Sequence, residues 1–192
     1  MKDVEITCEV FDGIENIKSA LLEKKLNFIE SFTLDDIYMY NKDNKDFFIK
    51  DGKISDTLII RNVDDEDKKI VCKKRNYNAE GMEISTSKTV LKVKDIEASE
   101  KFLNVLGYER YLRMIDTNYM YENDKYTVYI QDIKDLGVFL EVEAKNIEDE
   151  EKTVLDLIEY VKSLGLNIGI KFDIRKGELL YKYYTENGVN KA

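Results

Sequence analysis

Residues 3 to 10 alternate without interruption between polar and apolar side chains. Asp3, Glu5, Thr7 and Glu9 fall on one face, and Val4, Ile6, Cys8 and Val10 on the other. A period of two is the mark of a strand, and one face of this strand carries three carboxylates. Glu141 and Glu143 repeat the pattern late in the chain, again at i, i+2 and therefore on one face. Any fold must put these charged faces against water or against cations. Periodicity alone leaves two solutions open. One is a barrel with a solvated, charged interior and apolar faces packed outward on helices. The other is an open sheet whose charged side faces solvent.

The rest of the chain reads as α+β. Ile14, Ile17, Leu21 and Leu22 predict a helix over about 13–25, and Phe28–Tyr40 reads as a strand. A polar turn, 41–46, and a short apolar segment, Phe47-Phe48-Ile49, follow. Strands are expected at Thr57–Arg61, Lys69–Lys74, Glu83–Val93, Tyr108–Ile115, Tyr119–Tyr121, Tyr126–Ile133 and Val138–Ala144. Helices are expected over about 96–106, with Asp95 as N-cap and Gly107 as terminator, over about 149–164, and over about 173–184.

Two stretches share an order: helix, then strand carrying Tyr-Met-Tyr. The first ends in Asp35-Asp36-Ile37-Tyr38-Met39-Tyr40, the second in Asp116-Thr117-Asn118-Tyr119-Met120-Tyr121. The expectation is one domain over 1–185 built from two similar halves, with 186–192 as a flexible tail.

Composition removes several chemistries. The 192 residues include no His, which excludes imidazole acid/base work, His-metal sites and Ser-His or Cys-His nucleophile pairs. With 30 Lys+Arg against 39 Asp+Glu the chain is acidic, and no basic stripe suits a nucleic acid. No apolar run reaches a membrane span of about 20 residues, and the N-terminus lacks the apolar core of a signal peptide. Cys8 and Cys72 are too far apart for a CxxC motif and are read as reduced thiols, Cys8 in the core and Cys72 as a small buried residue. The expected setting is cytoplasmic.

If their strands meet, Asp3/Glu5 and Glu141/Glu143 form a set of hard oxygen ligands suited to Mg²⁺ or Mn²⁺. Arg61, Lys73, Lys92 and Arg113 all lie in strand patterns. Gathered in one cavity they would neutralise a polyphosphate; taken singly, each also fits a solvated strand charge.

The order of elements resembles the CYTH superfamily, the triphosphate tunnel proteins that include class IV adenylate cyclases and thiamine triphosphatases. Asp3-Val4-Glu5-Ile6-Thr7 is similar to the family's opening Glu-x-Glu-x-Lys, and Asp36-Ile37-Tyr38 to its early Asp-x-Tyr strand. Leu58-Ile59-Ile60-Arg61 resembles Leu-Arg-Ile-Arg, and Leu136-Gly137-Val138-Phe139-Leu140-Glu141-Val142-Glu143 matches Leu-Gly-x-Phe-x-Glu-x-Glu. Arg175, ahead of Glu178-Leu179-Leu180, resembles the closing segment. The resemblance implies a closed antiparallel barrel with helices outside. It implies Asp3, Glu5, Glu141 and Glu143 as metal carboxylates, with Glu5, Glu141 and Glu143 as catalytic groups and Asp132 near a further acidic position. Arg61, Lys73, Arg113 and Arg175 would be substrate-binding cations, joined by Lys92 from the strand pattern alone. The implied cofactor is Mg²⁺ or Mn²⁺. The implied partner is a triphosphate-containing small molecule such as ATP, with a homodimer among the expected assemblies.

Three departures weaken the cationic side. Thr7 stands in place of the signature Lys, Ile59 in place of the first Arg, and Asp116-Thr117-Asn118 in place of a Lys-x-Arg segment. Glu9 adds a carboxylate to the same face. Such crowding predicts raised carboxyl pKa values and pH-dependent metal occupancy. Two functions are therefore carried forward, with a purely structural dimerisation module as a third. One is a metal-dependent enzyme on a triphosphate, by cyclisation of ATP or by triphosphate hydrolysis. The other is a catalytically degenerate tunnel that binds or senses another ligand, with Tyr38, Tyr40, Tyr119 and Tyr121 near its mouth. The charge balance of the tunnel discriminates between the first two: turnover needs a cationic stretch beside the acidic one.

Overall fold

The alternating stretch at the N-terminus folds as two strand pieces, β1 (Lys2–Asp3) and β2 (Glu5–Glu9), separated at Val4. The computed structural model describes residues 2–43, 56–81 and 83–189; the Phe47-Phe48-Ile49 segment and the last residues, 190–192, lie outside them. Seven further strands follow: β3 (Asn27–Asn41), β4 (Asp56–Val63), β5 (Asp67–Tyr77), β6 (Glu83–Lys92), β7 (Tyr108–Glu122), β8 (Tyr126–Ile133) and β9 (Gly137–Ala144). The helices are α1 (Ile14–Glu23), α2 (Ile96–Val105), α3 (Glu150–Lys162) and α4 (Lys176–Asn187).

All the strands join one antiparallel sheet in the order β1-β6-β5-β4-β3-β7-β8-β9-β2. Because β1 and β2 are neighbours in the chain, residues 2–9 touch both ends of that order. Lys2 and Asp3 pair with Ser87 and Thr86 of β6, while Glu5–Glu9 pair with Phe139–Glu143 of β9. The sheet is therefore curled into a half-barrel. Beyond Val4 the second edge of β2 is taken by the C-terminal segment: Thr7 N–H donates to the Phe172 carbonyl at 3.0 Å, and Ile174 N–H donates to the Thr7 carbonyl at 3.2 Å. That contact also explains why α4 begins at Lys176 and not near 173. It ends at Gly188, whose φ of 65° is the left-handed conformation of a helix C-cap.

Two expected strands, Tyr108–Ile115 and Tyr119–Tyr121, are one continuous β7. Thr117 and Asn118 look like a turn in sequence, yet they pair with Thr33 and Phe32 on one side and with Asp132 and Gln131 on the other. Helix α2 starts where its cap predicts, with Asp95 Oδ1 accepting from Ala98 N–H at 2.9 Å, and α3 is capped in the same way by Asp149, whose Oδ1 accepts from Lys152 N–H at 2.8 Å.

The alternation sorts the two faces. Val4, Ile6, Cys8 and Val10 pack outward on Ile17 and Leu21 of α1 and on Val154, Leu157 and Val161 of α3. Ile37, Met39 and Ile60 pack with Leu103 of α2. On the concave face, Tyr38, Ile59, Val71, Met114 and Phe139 receive Leu180 and Tyr184 of α4. Helix α4 thus sits across the inside of the sheet, and the remaining concave space is polar. Among the described residues no helix is long and apolar enough to cross a membrane.

Candidate functional site

The concave face holds a cavity of about 470 Å³. Its walls carry Glu5, Thr7 and Glu141 on one side, Lys73, Arg75 and Glu83 on another, and Arg175, Lys176 and Gly177 from the start of α4. Strand register places the acids: Glu5 lies opposite Glu143, and Thr7 opposite Glu141. One carboxylate oxygen from each of Glu5, Glu141 and Glu143 lies within 4.8 Å of the others. Three hard oxygen donors at that spacing fit a divalent cation of the Mg²⁺ or Mn²⁺ type.

Cations answer these acids directly. Lys88 of β6 sits 2.9 Å from Glu5 Oε2, 3.0 Å from Asp3 Oδ2 and 3.4 Å from Glu143 Oε1. Lys73, opposite Lys88 in register, is 3.9 Å from Glu5 Oε1. Lys176, in the first turn of α4, donates to Glu141 Oε2 and to Gln131 Oε1, both at 2.5 Å. Helix α4 can come this close because residue 177 is Gly: a Cβ there would meet Tyr38 Cε1 at 2.8 Å. Arg75 and Arg175 converge on Glu83 Oε2 at 3.4 and 3.6 Å, and Arg175 also donates to the Tyr77 hydroxyl.

These contacts set the titration of the site. Burial would raise the Glu5 carboxyl, but Lys73 and Lys88 hold it well below the usual range. Burial also acts on Glu141, where Lys176 prevails and lowers it. For Glu143 burial wins over Lys88 and pushes the carboxyl up to about 7. Burial raises Asp116 to about 6; it is 1% exposed and its Oδ1 has no hydrogen-bond partner. Burial therefore raises Glu143 and Asp116, with neighbouring carboxylates a smaller contribution than the crowding expected from sequence, while the lysines depress Glu5 and Glu141.

The structure brings together Asp3, Glu5, Glu141, Glu143, Lys73 and Arg175. Arg61 is on the same face, but the Nε–Nη2 edge of its guanidinium donates to both carboxylate oxygens of the fully buried Asp36, at 2.8 and 2.7 Å. Arg113 is not in the cavity. It alternates with Leu112 and Met114, so it points outward, where it pairs with Asp35 at 2.6 Å. Lys92 shares the parity of Lys88 but sits at the exposed end of β6, opposite Lys69. Glu9 lies against Gly169 at the far end of β2, and Asp132 is exposed. Of the four tyrosines expected near a mouth, Tyr38 lines the cavity, whereas Tyr119 and Tyr121 belong to the outward core. Cys8 is buried, and burial pushes its thiol up to about 12. Cys72 is exposed rather than buried, because it alternates with the inward Val71 and Lys73. Lys88, Arg75, Glu83 and Lys176 carry no local sequence signal; only strand register and the landing point of α4 assign them.

No protein-family model matches the chain. The protein named “Putative adenylate cyclase MJ0240” of Methanocaldococcus jannaschii is 24% identical over 188 residues, covering 97% of this chain and 98% of the relative. A solved structure named a “putative adenylate cyclase” from Vibrio parahaemolyticus superposes with a TM-score of 0.69 at 12% identity, covering 93% of this chain and 97% of the other. The chain shares the fold of that structure, which is CYTH-like. A second solved structure, the adenylyl cyclase-named HpAC1 from Hippeastrum, described as having a dominant triphosphatase activity, matches with a TM-score of 0.62 at 11% identity over 98% and 97% of the two chains. Thr7, which stands where the signature that the opening strand resembles has a Lys, reaches Glu141 Oε2 with its hydroxyl at 3.5 Å.

Proposed function

We propose that this chain is a metal-dependent enzyme that binds a triphosphate compound in the concave cavity, with the curled sheet closing into a tunnel around it. One observation carries this: an acidic wall (Glu5 and Glu141, with Glu143 converging on them) and a cationic wall (Lys73, Arg75, Arg175, Lys176) face the same cavity. A site built only of acids would repel a polyphosphate, and one built only of cations would hold no metal. The names carried by the M. jannaschii relative and the two structural neighbours support the same substrate class.

In this function Glu5, Glu141 and Glu143 would hold Mg²⁺ or Mn²⁺, with Asp3 beside them. A divalent ion there supplies charge neutralisation for the phosphates. Lys73, Arg75 and Arg175 would take the phosphate oxygens, with charge-assisted hydrogen bonds of about 1.5–3 kcal/mol each. A carboxylate of this cluster would accept the proton from an attacking hydroxyl or water. Two reactions use these parts. In cyclisation a ribose hydroxyl oxygen attacks the α-phosphorus, the bond to the bridging β-oxygen breaks, and pyrophosphate leaves. In hydrolysis water attacks the terminal phosphorus, the bond to the bridging oxygen breaks, and the diphosphate leaves, with orthophosphate as the other product.

The test is thermal unfolding with ATP, tripolyphosphate and thiamine triphosphate, each with and without Mg²⁺ or Mn²⁺, followed by product analysis. Binding at a hundredfold excess over Kd stabilises by about 2.7 kcal/mol, or a midpoint shift of about 5–10 °C. A metal-dependent shift followed by cyclic nucleotide or orthophosphate supports an enzyme and names the reaction. A flat response to all three compounds points instead to a degenerate tunnel for another ligand.

A further inference from the structure

We infer that Lys88 is a tethered counter-cation that competes with divalent metal for the acid cluster, so that an anion which draws Lys88 away opens the cluster to metal. This rests on the metal-and-phosphate function proposed above. The geometry behind it is the three-way contact of one ammonium with Asp3, Glu5 and Glu143, at 3.0, 2.9 and 3.4 Å. Glu5 and Glu143 are two of the three residues whose oxygens converge within 4.8 Å. An ion held by these carboxylates would come into direct like-charge contact with an ammonium already held by two of them. Metal therefore enters only if Lys88 moves.

Lys88 has somewhere to go. Its side chain is 25% exposed, more open than Lys73 at 17%, and the two lie opposite each other on β6 and β5. An anion lodged against Lys73 therefore meets a second ammonium next door. While Lys88 is held by three carboxylates its charge is spent on them, and those carboxylates are equally unavailable to metal. Taking the ammonium onto an anion frees the acids, and taking the acids onto metal frees the ammonium. The two ligands must then help each other by the same factor. A lysine that merely stapled β6 to β1, β2 and β9 would produce no such coupling.

The experiment is Mn²⁺ binding, read from the EPR signal of free Mn²⁺, with no phosphate compound present. Lys88→Met is expected to bind Mn²⁺ at least tenfold more tightly than the parent protein, and adding Glu5→Gln to that variant is expected to abolish the gain. An unchanged Kd in Lys88→Met, or a gain that survives Glu5→Gln, overturns the inference. A second arm needs no variant. Sulfate, a weak Mn²⁺ chelator, is expected to tighten Mn²⁺ binding by the parent protein severalfold at ionic strength matched with NaCl. Sulfate with no effect beyond NaCl overturns the coupling. Because neither arm contains a triphosphate, their failure leaves the triphosphate function standing. A failed triphosphate titration likewise leaves both arms readable.

Discussion

Lys176 and Glu141 are 35 residues apart in sequence and 2.5 Å apart in space, the ammonium coming from the first turn of the last helix and the carboxylate from β9. Glu141 is the register partner of Thr7, which stands where the CYTH signature that this strand resembles has a lysine. The missing charge thus returns to the same carboxylate from the other end of the chain. Both side chains are largely buried, at 14% and 13% exposure. Removing one therefore strands the other. Lys176→Met is expected to cost about 2–4 kcal/mol in urea unfolding. Adding Thr7→Lys to that variant should recover at least half of the loss, because register puts the new ammonium beside Glu141. A double variant no more stable than Lys176→Met would show that position 7 cannot replace Lys176.

Gly177→Ala tests how tightly α4 seats on the concave face. Alanine normally gains about 1 kcal/mol over glycine inside a helix, but here its Cβ would meet the Tyr38 ring at 2.8 Å. Tyr38 is buried, so the ring has little room to yield. Overpacking should dominate, for a net loss of about 1–2 kcal/mol. Gly13→Ala, where nothing lies within 4 Å of the added carbon, serves as the comparison. Thermal midpoints distinguish the two; an unchanged Gly177→Ala midpoint would mean α4 is loosely held.

Asp116 sets a pH dependence. Its carboxyl is raised by burial from 3.8 to about 6, so the folded chain holds this proton more tightly than the unfolded chain does. Its favourable contribution is fully present below about 3.8 and is lost as pH rises through about 6. Asp116→Asn removes the buried charge. Relative to the parent it should be more stable at pH 8 by on the order of 1–3 kcal/mol, with the difference vanishing near pH 3.5. Urea unfolding across this range checks it, and a constant difference would contradict it.

Much of this arrangement is legible in the sequence. Strict alternation at 3–10 and 137–144 is enough to sort acids from core residues, because a strand has only two faces. A cap such as Asp95 acts locally and reads locally. The cations do not. Arg113 and Lys73 look alike in sequence, and one position of parity sends the first to solvent and the second to the cavity. Lys92 has the parity of Lys88 but lies four residues further along β6, beyond the cavity. Lys176 acquires its meaning only from where α4 lands, which depends on residues 172–174 pairing with Thr7. Those are long-range facts without a local pattern.

Arg75 and Arg175 share Glu83, so each relieves the other's carboxylate partner only in part. An anion in the cavity should compete with Glu83 for both guanidinium groups. Glu83→Gln is therefore expected to strengthen tripolyphosphate binding severalfold, measured by calorimetry. Weaker binding would mean that Glu83 holds the two arginines in place for the ligand.

The most direct measurement is a calorimetric titration of tripolyphosphate with Mg²⁺ into the parent protein, Lys73→Ala and Arg113→Ala. Lys73 lines the cavity and Arg113 faces solvent on the other side of the sheet. Saturable binding that weakens at least tenfold in Lys73→Ala and is unchanged in Arg113→Ala is the predicted result. No binding by the parent protein, or equal affinity in all three, would contradict a triphosphate site on the concave face.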